Sequence, residues 1–163
     1  DEAAKEAQEW ARTEACLAHG IALFDRGKYR RAIEEFERVL DGRPGDETAR
    51  DYAFEAHFRL AVDLLEKKRF LAAREGFLES LRIRGDCAEC HRYAEKSEDL
   101  FKESHYRRGM QYYNQERLRE AIAEWERVRT LDPSYKRVGY LIERSRKILS
   151  NLEALKRYQE KKP

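Results

Sequence analysis

Small, apolar and aromatic residues recur along this chain in three copies of one helical pattern. In the first copy, a small residue at Gly20 is followed by Ala32 and then by the aromatic Phe36. The same order returns at the same internal spacing in two further sets, Ala61, Ala73, Phe77 and Gly109, Ala121, Trp125. Periodicity of this kind indicates an array of helical repeats, in which each repeat packs on its neighbours.

The spacing of the apolar positions predicts seven helices. No segment alternates apolar and polar residues at period two for long enough to form a strand. Breaks at Pro44, Gly85 and Pro133 separate the helix pairs, because proline and glycine end one helix before the next begins. The expected helices span about residues 3–25, 29–41, 46–67, 70–82, 87–114, 118–130 and 133–159.

These helices predict an all-α protein, an α-solenoid of three helix–turn–helix units followed by a C-terminal capping helix. Equivalent positions lie further apart than the roughly 34 residues of the common helix–turn–helix repeat, by multiples of seven. Seven residues are nearly two helical turns, so we expect extended first helices in units two and three whose inward faces keep their phase. We expect a single domain over residues 1–163, with units at about 13–46, 46–86 and 87–133 and the capping helix at about 133–159.

The capping helix lacks a partner helix after it and has its own apolar stripe. Arg144, Lys147 and Lys156 lie away from that stripe. We therefore expect the helix to bury one face along its length. The apolar positions of that face are Val138, Leu141, Ile148, Leu152 and Leu155.

In its three repeated units the chain resembles the tetratricopeptide repeat family. The family pattern is Trp-x2-Leu-Gly-x2-Tyr, then Ala-x3-Phe, then Pro. The matching residues are Cys16, His19, Gly20, Leu23, Ala32, Phe36 and Pro44; His57, Leu60, Ala61, Leu64, Ala73, Phe77 and Gly85; and His105, Arg108, Gly109, Tyr112, Ala121, Trp125 and Pro133. The match covers about residues 13–135, and it departs from the family at the Trp position of every unit.

The first helix of each unit carries a second apolar stripe along one face, with the same spacing in all three units. The resemblance implies that this face lines the concave groove in which proteins of the family bind peptides or helices of other proteins. Arg59 and Arg107 occupy matching places and are positioned to bind an acidic side chain or a carboxylate. The candidate partner-binding residues are Leu17, Ile21, Phe24, Phe58, Arg59, Val62, Leu65, Tyr106, Arg107, Met110 and Tyr113.

The chemistry of the stripe favours one class of partner. Family members that clamp the acidic tail of a heat-shock chaperone have Lys and Asn in the first repeat, where this chain has Leu17 and Ile21. An apolar lining suits an amphipathic helix or a hydrophobic segment instead. The alternative is that the stripe packs between repeats, or is covered by the Trp10 end of helix one or by helix seven.

The segment Cys87-Ala-Glu-Cys90-His91 matches the Cys-x-x-Cys-His motif of c-type haem attachment. It also matches a redox dithiol, because a cysteine at a helix N-terminus has a lowered thiol pKa. The competing interpretation is the start of a repeat helix, with Cys90 as a small, partly buried residue. We favour that interpretation and expect no cofactor and no metal, with a haem or redox protein as the remote alternative.

Composition and motif content argue against three classes of function: nucleic acid binding, membrane insertion and catalysis. The chain is 40% charged, but its 34 basic and 32 acidic residues are interleaved and give a net charge of only +2. No basic block can follow a phosphate backbone, so we expect no nucleic acid partner. No apolar run approaches the roughly 18 residues of a membrane span, so we expect no membrane insertion of these residues. No Ser–His–Asp arrangement or phosphate loop is present, and we expect no enzyme activity.

The sequence thus predicts an interaction scaffold, with self-association or docking within a larger protein as the alternative. The arginine content and the run 121–127 resemble repeats of bacterial envelope and motility proteins. Three cysteines are too few for a disulfide scaffold and favour a reducing, cytoplasmic compartment, while an envelope-associated location stays open.

Overall fold

The computed structural model describes residues 1–161 and contains seven α-helices and no strand in that range. The all-α class predicted from the sequence is confirmed. The helices are α1 (Glu2–Asp25), α2 (Tyr29–Gly42), α3 (Glu47–Glu66), α4 (Phe70–Ile83), α5 (Ala88–Asn114), α6 (Leu118–Leu131) and α7 (Val138–Glu160). The chain divides into two compact units, one over Asp1–Glu98 and one that begins at Asp99. The expected repeat boundaries near 13–46, 46–86 and 87–133 remain predictions.

The same turn joins α1 to α2, α3 to α4 and α5 to α6. Its central residue has a positive φ, at 72° for Gly27, 57° for Lys68 and 60° for Glu116. In the first turn, the Gly27 amide donates to the Phe24 carbonyl at 2.8 Å and the Lys28 amide to the Leu23 carbonyl at 2.9 Å. The other two turns make the equivalent pair of bonds. This is the Schellman motif, which satisfies the last carbonyls of a helix and reverses the chain.

In the first unit, close contact within each hairpin depends on small residues. A Cβ at Gly20 of α1 would lie 2.6 Å from Phe36 of α2. In the second hairpin, a Cβ at Gly76 of α4 would lie 2.8 Å from the Cβ of Ala61 on α3. The repeat residues that fill these contacts have no exposed surface; they are Ala32, Phe36, Ala61, Ala73 and Phe77. The prediction that these positions form the hairpin cores is confirmed.

In the second unit, one tryptophan organises the core. Trp125 of α6 is fully buried, and its Nε1 donates to the Tyr106 carbonyl of α5 at 3.2 Å. The first turns of α7 complete this core with Val138 and Ile142, which are 1% and 0% exposed. The hydrogen bond from a buried indole N–H fixes the orientation of the ring within an otherwise apolar contact.

The capping helix differs from expectation in two ways. It begins at Val138 rather than near Pro133, because Asp132 Oδ1 accepts from the Ser134 amide at 3.1 Å and Lys136 has a φ of 46°. The expected burial of Leu152 and Leu155 was also wrong, since they are 54% and 58% exposed. Every described residue after 149 is exposed, so the apolar stripe of α7 is longer than the surface it packs against.

Candidate functional site

The predicted stripes of the first unit are half-buried. Leu17, Ile21 and Phe24 of α1 pack on the core of the first hairpin, and Phe58, Val62 and Leu65 of α3 pack on the core of the second. None of the six reaches the full burial of the core residues beneath them. Each stripe therefore contributes to the core and also leaves apolar atoms accessible.

Arg59 links the two stripes of the first unit. Its guanidinium lies over the Phe24 ring of α1, 5.2 Å from the ring centroid, and its Nε donates to Glu55 Oε1 at 2.8 Å. The side chain is 51% exposed. Hydrogen bonds to Glu55 and then to Tyr29 raise the pKa of Arg59, so the side chain is charged at every accessible pH. Its cation is thus held over the ring of Phe24, which is itself a residue of the α1 stripe.

An aromatic group on α5 extends the α3 stripe. The Tyr93 ring is edge-on to Phe58 at 5.8 Å between centroids and stacks on Phe77 at 5.1 Å. The Lys96 ammonium lies 6.0 Å from the Tyr93 centroid, and Arg92, Tyr93 and Lys96 line a shallow depression. These residues were not among the predicted ones, because the stripe was assigned only to the C-terminal half of this helix. Tyr93 itself is visible in the sequence of the extra N-terminal turns of α5, but its contact with Phe58 is not.

The stripe of the second unit is half-buried in the same manner. Tyr106, Met110 and Tyr113 pack on the core around Trp125, and the Tyr113 and Trp125 centroids lie 5.8 Å apart. The Tyr106 ring is partly covered, because Tyr135 meets it edge-on at 5.9 Å and the Lys136 ammonium lies 4.6 Å from its centroid. Part of the Tyr106 ring is therefore occupied by contacts within the second unit.

A carboxylate fixes the segment after α6. Glu103 accepts from Lys136 Nζ at 2.5 Å, from Tyr135 Oη at 2.7 Å and from Arg107 Nε at 2.6 Å. The bond from Lys136, followed by those from Tyr135 and Arg107, lowers the pKa of Glu103 to about 2. Arg107 matches Arg59 in having a glutamate four residues earlier as its Nε partner. Both guanidinium groups are thus pre-positioned by an acid of their own helix.

The Cys-x-x-Cys-His segment is a disulfide in this structure. Cys87 and Cys90 are bonded to each other, with their Cα atoms 5.3 Å apart. Cys90 has no exposed surface, Cys87 is half-buried and His91 is exposed. The predicted helix start at this segment is confirmed, but the expected partly buried Cys90 is wrong, since Cys90 is fully buried and bonded to Cys87. The bond also contrasts with the reducing compartment that the cysteine count favoured. Cys16 is the free cysteine among residues 1–161.

Two properties of the described residues bear on function. No three His, Cys, Asp or Glu side chains within residues 1–161 are grouped so that they could hold a metal ion. Within the same range, no helix combines the length and the apolar character needed to span a bilayer.

Two family models, both described as tetratricopeptide repeat, match this chain. One matches residues 17–86 and the other residues 102–135, and together these stretches cover more than half of the 163 residues. The three hairpin turns and all eleven candidate partner-binding residues lie within the matched ranges.

Curated relatives match only over a short stretch. The serine/threonine-protein kinase PknD of Chlamydia caviae is 36% identical over 67 residues, which are 41% of this chain and 7% of that kinase. The PknD of Chlamydia abortus is 35% identical over 68 residues, 42% of this chain and 7% of that kinase. The match therefore spans about 7% of the length of these relatives.

Two solved structures are similar at low identity. The first TPR domain of the human RPAP3 protein is 20% identical, with a TM-score of 0.31, 87% of this chain covered and 95% of that chain. The Arabidopsis OM64 TPR domain is 18% identical, with a TM-score of 0.29, 85% of this chain covered and 98% of that chain. These scores are too low to support any comparison of shape.

Proposed function

Since this chain belongs to the tetratricopeptide repeat family and is a protein–protein interaction module, we propose that its half-buried stripes bind a partner protein. The bound element is an amphipathic helix or an extended hydrophobic segment. The observation that supports this proposal is the partial burial of the six stripe residues on α1 and α3. A surface that is already ordered by its core contacts binds without a large loss of side-chain entropy.

The first unit supplies the main contact surface in this proposal. Phe58 and Tyr93 provide aromatic faces, which are common anchors of binding energy, and Phe24 adds apolar surface beneath Arg59. Arg59 and Lys96 add positive charge beside those faces, so we expect acidic residues on the polar side of the bound segment. The second unit contributes a patch of its own with Met110 and Tyr113, flanked by Arg107.

The role we propose is non-catalytic. The resemblance to kinases covers only 7% of each kinase, and it gives no reason to expect phosphoryl transfer here. Binding by the apolar stripes needs no cofactor and no metal.

The test begins with a partner purified on this chain and identified by mass spectrometry. Binding of the partner's shortest interacting segment is then measured for Val62→Glu and Tyr113→Glu. We expect each charge to weaken binding at least about tenfold, which is about 1.4 kcal/mol. Leu71→Glu is the matched control, since Leu71 of α4 is 40% exposed and belongs to no stripe. Unchanged binding by both stripe variants, with far-UV helicity retained, would reject the proposal.

Self-association, or docking onto the rest of a longer polypeptide, is a second candidate. The exposure of Leu152 and Leu155 on α7 supports it, because neighbouring exposed leucines on one helix face form a contact surface. Sedimentation over a range of protein concentrations tests this candidate. A dimer that Leu152→Glu disrupts would favour it, and a monomer throughout the range would remove self-association.

A further inference from the structure

The two cysteines of the disulfide differ in their exposure to solvent. Cys90 has no exposed surface, whereas Cys87 is half-buried and stands immediately before the first residue of α5. Of the two cysteines, only Cys87 thus has surface that a thiol approaching from solvent can contact. This asymmetry distinguishes the pair from a structural disulfide whose two cysteines are both buried in the core.

The backbone around Cys87 places its sulfur at the helix N-terminus. The Cys90 amide donates to Cys87 Sγ at 3.1 Å, and the Cys87 amide donates to the Arg84 carbonyl at 3.3 Å. The position of Cys87 thus depends on the α4–α5 turn as well as on the disulfide. A helix N-terminus stabilises negative charge, so a reduced Cys87 would lie where a thiolate is favoured.

We propose that the Cys87–Cys90 pair is a thiol–disulfide exchange site. Cys87 exchanges with an external thiol, and Cys90 is the resolving cysteine that re-forms the internal bond. The co-reactant is a cellular thiol such as glutathione, or the dithiol of another protein. The external thiolate attacks Cys87 Sγ, the bond between Cys87 and Cys90 breaks, and Cys90 leaves with the electron pair and takes a proton from solvent. A second thiol then attacks the mixed disulfide, which leaves two cysteine thiols on the protein and one disulfide on the reductant.

The reverse reaction uses the same geometry. When a mixed disulfide forms on Cys87, the Cys90 thiolate attacks Cys87 Sγ and expels the external thiolate, which restores the internal bond. The buried position of Cys90 keeps it from reacting with solvent thiols itself, so it acts only on its neighbour. This inference is independent of the proposed partner-binding function, because no stripe residue takes part in it.

The test compares two matched variants in a Cys16→Ser background. Cys90→Ala leaves only the Cys87 thiol, and Cys87→Ala leaves only the Cys90 thiol. Each is treated with oxidised glutathione, quenched with acid and analysed by intact mass. We expect the Cys87 thiol to form the glutathione mixed disulfide at least about tenfold faster than the Cys90 thiol. In guanidinium chloride the two rates should converge, because the selectivity depends on the fold.

The unaltered cysteine pair gives the second measurement. With the Cys16→Ser protein in a reduced–oxidised glutathione buffer, the mixed-disulfide intermediate should map to Cys87 by peptide mass spectrometry. Equal native-state rates for the two thiols, or an intermediate that maps to Cys90, would overturn the proposal. A bond that excess dithiothreitol does not reduce under native conditions would overturn it as well.

Discussion

Gly109 of α5 lies so close to Trp125 of α6 that a Cβ at position 109 would be 2.7 Å from Cε2 of the indole. The tryptophan cannot move away easily, since it is fully buried and its Nε1 is bonded to the Tyr106 carbonyl. The distance between the two helices is therefore set by the absence of a side chain at Gly109.

Gly109→Ala should destabilise the second unit. Overpacking of a well-ordered core costs about 1–3 kcal/mol, and here the neighbouring ring has no space to shift. Gly139→Ala is the matched control, because a Cβ at position 139 would meet no atom within 4 Å. Alanine in place of that helical glycine should be neutral or stabilise by up to about 1 kcal/mol. Chemical unfolding followed by circular dichroism measures both, and equal effects of the two changes would contradict the packing argument.

Gly27→Ala should destabilise the first hairpin through backbone strain alone. Position 27 has a φ of 72°, and a Cβ added there would have no atom within 4 Å, so a side chain meets no steric contact from the rest of the fold. An L residue in this conformation costs roughly 1–2 kcal/mol relative to its preferred region. Gly45→Ala, at a site that is equally open and lacks a positive φ, should change the unfolding free energy by less than about 0.5 kcal/mol. A loss of similar size in both variants would show that the turn is not strained.

The stability of the second unit should decrease in acid through Glu103. Its folded-state pKa of about 2 lies below the ordinary 4.5, so protonation favours the unfolded chain. The contribution of Glu103 is complete above about pH 4.5 and is lost as the pH falls towards 2. Carboxyl NMR shifts of the folded protein should place its midpoint near 2. Lys136→Met should raise that midpoint, and a Glu103 midpoint near 4.5 in the unaltered protein would contradict the hydrogen bonds to this carboxylate.

Two positions on α7 should respond very differently to truncation. Ile142 is fully buried, so Ile142→Ala should cost about 2–5 kcal/mol by loss of contacts and creation of a cavity. Leu152 is 54% exposed, and Leu152→Ala should change the unfolding free energy of the monomer by less than about 0.5 kcal/mol. Urea titrations at low protein concentration provide the comparison. A large effect at Leu152 would mean that the end of α7 is packed in solution.

Periodicity was sufficient to predict the helices and the hairpin cores. The small residues, alanines and aromatic residues repeat because equivalent positions pack together in each hairpin. A repeat of this kind can be recognised in a single sequence. The turns were also predictable, although Lys68 and Glu116 adopt a positive φ without being glycine. Their conformation follows from the Schellman hydrogen bonds rather than from residue type.

The second hairpin shows where pattern matching is incomplete. Ala61 has a Cβ where the other two hairpins have glycine, and Gly76 on the opposite helix provides the missing space. A repeat alignment does not reveal this exchange, because the two positions belong to different columns of the pattern.

The exposed end of α7 and the contribution of Tyr93 were not predictable from the pattern. An apolar stripe shows which face of a helix can be buried, but not how far a neighbouring surface extends along it. The contact of Tyr93 with Phe58 depends on how the N-terminal turns of α5 pack on the second hairpin. The disulfide likewise depends on the short distance between two Cα atoms at the start of α5.

Site-specific cross-linking tests the central claim most directly. A photoreactive benzoylphenylalanine replaces Val62 on the α3 stripe in one sample and Leu71 on α4 in another, and each is irradiated with the purified partner. We predict a covalent adduct with the partner from position 62 and none from position 71. Adducts from position 71 alone, or equal yields from both positions, would contradict the account.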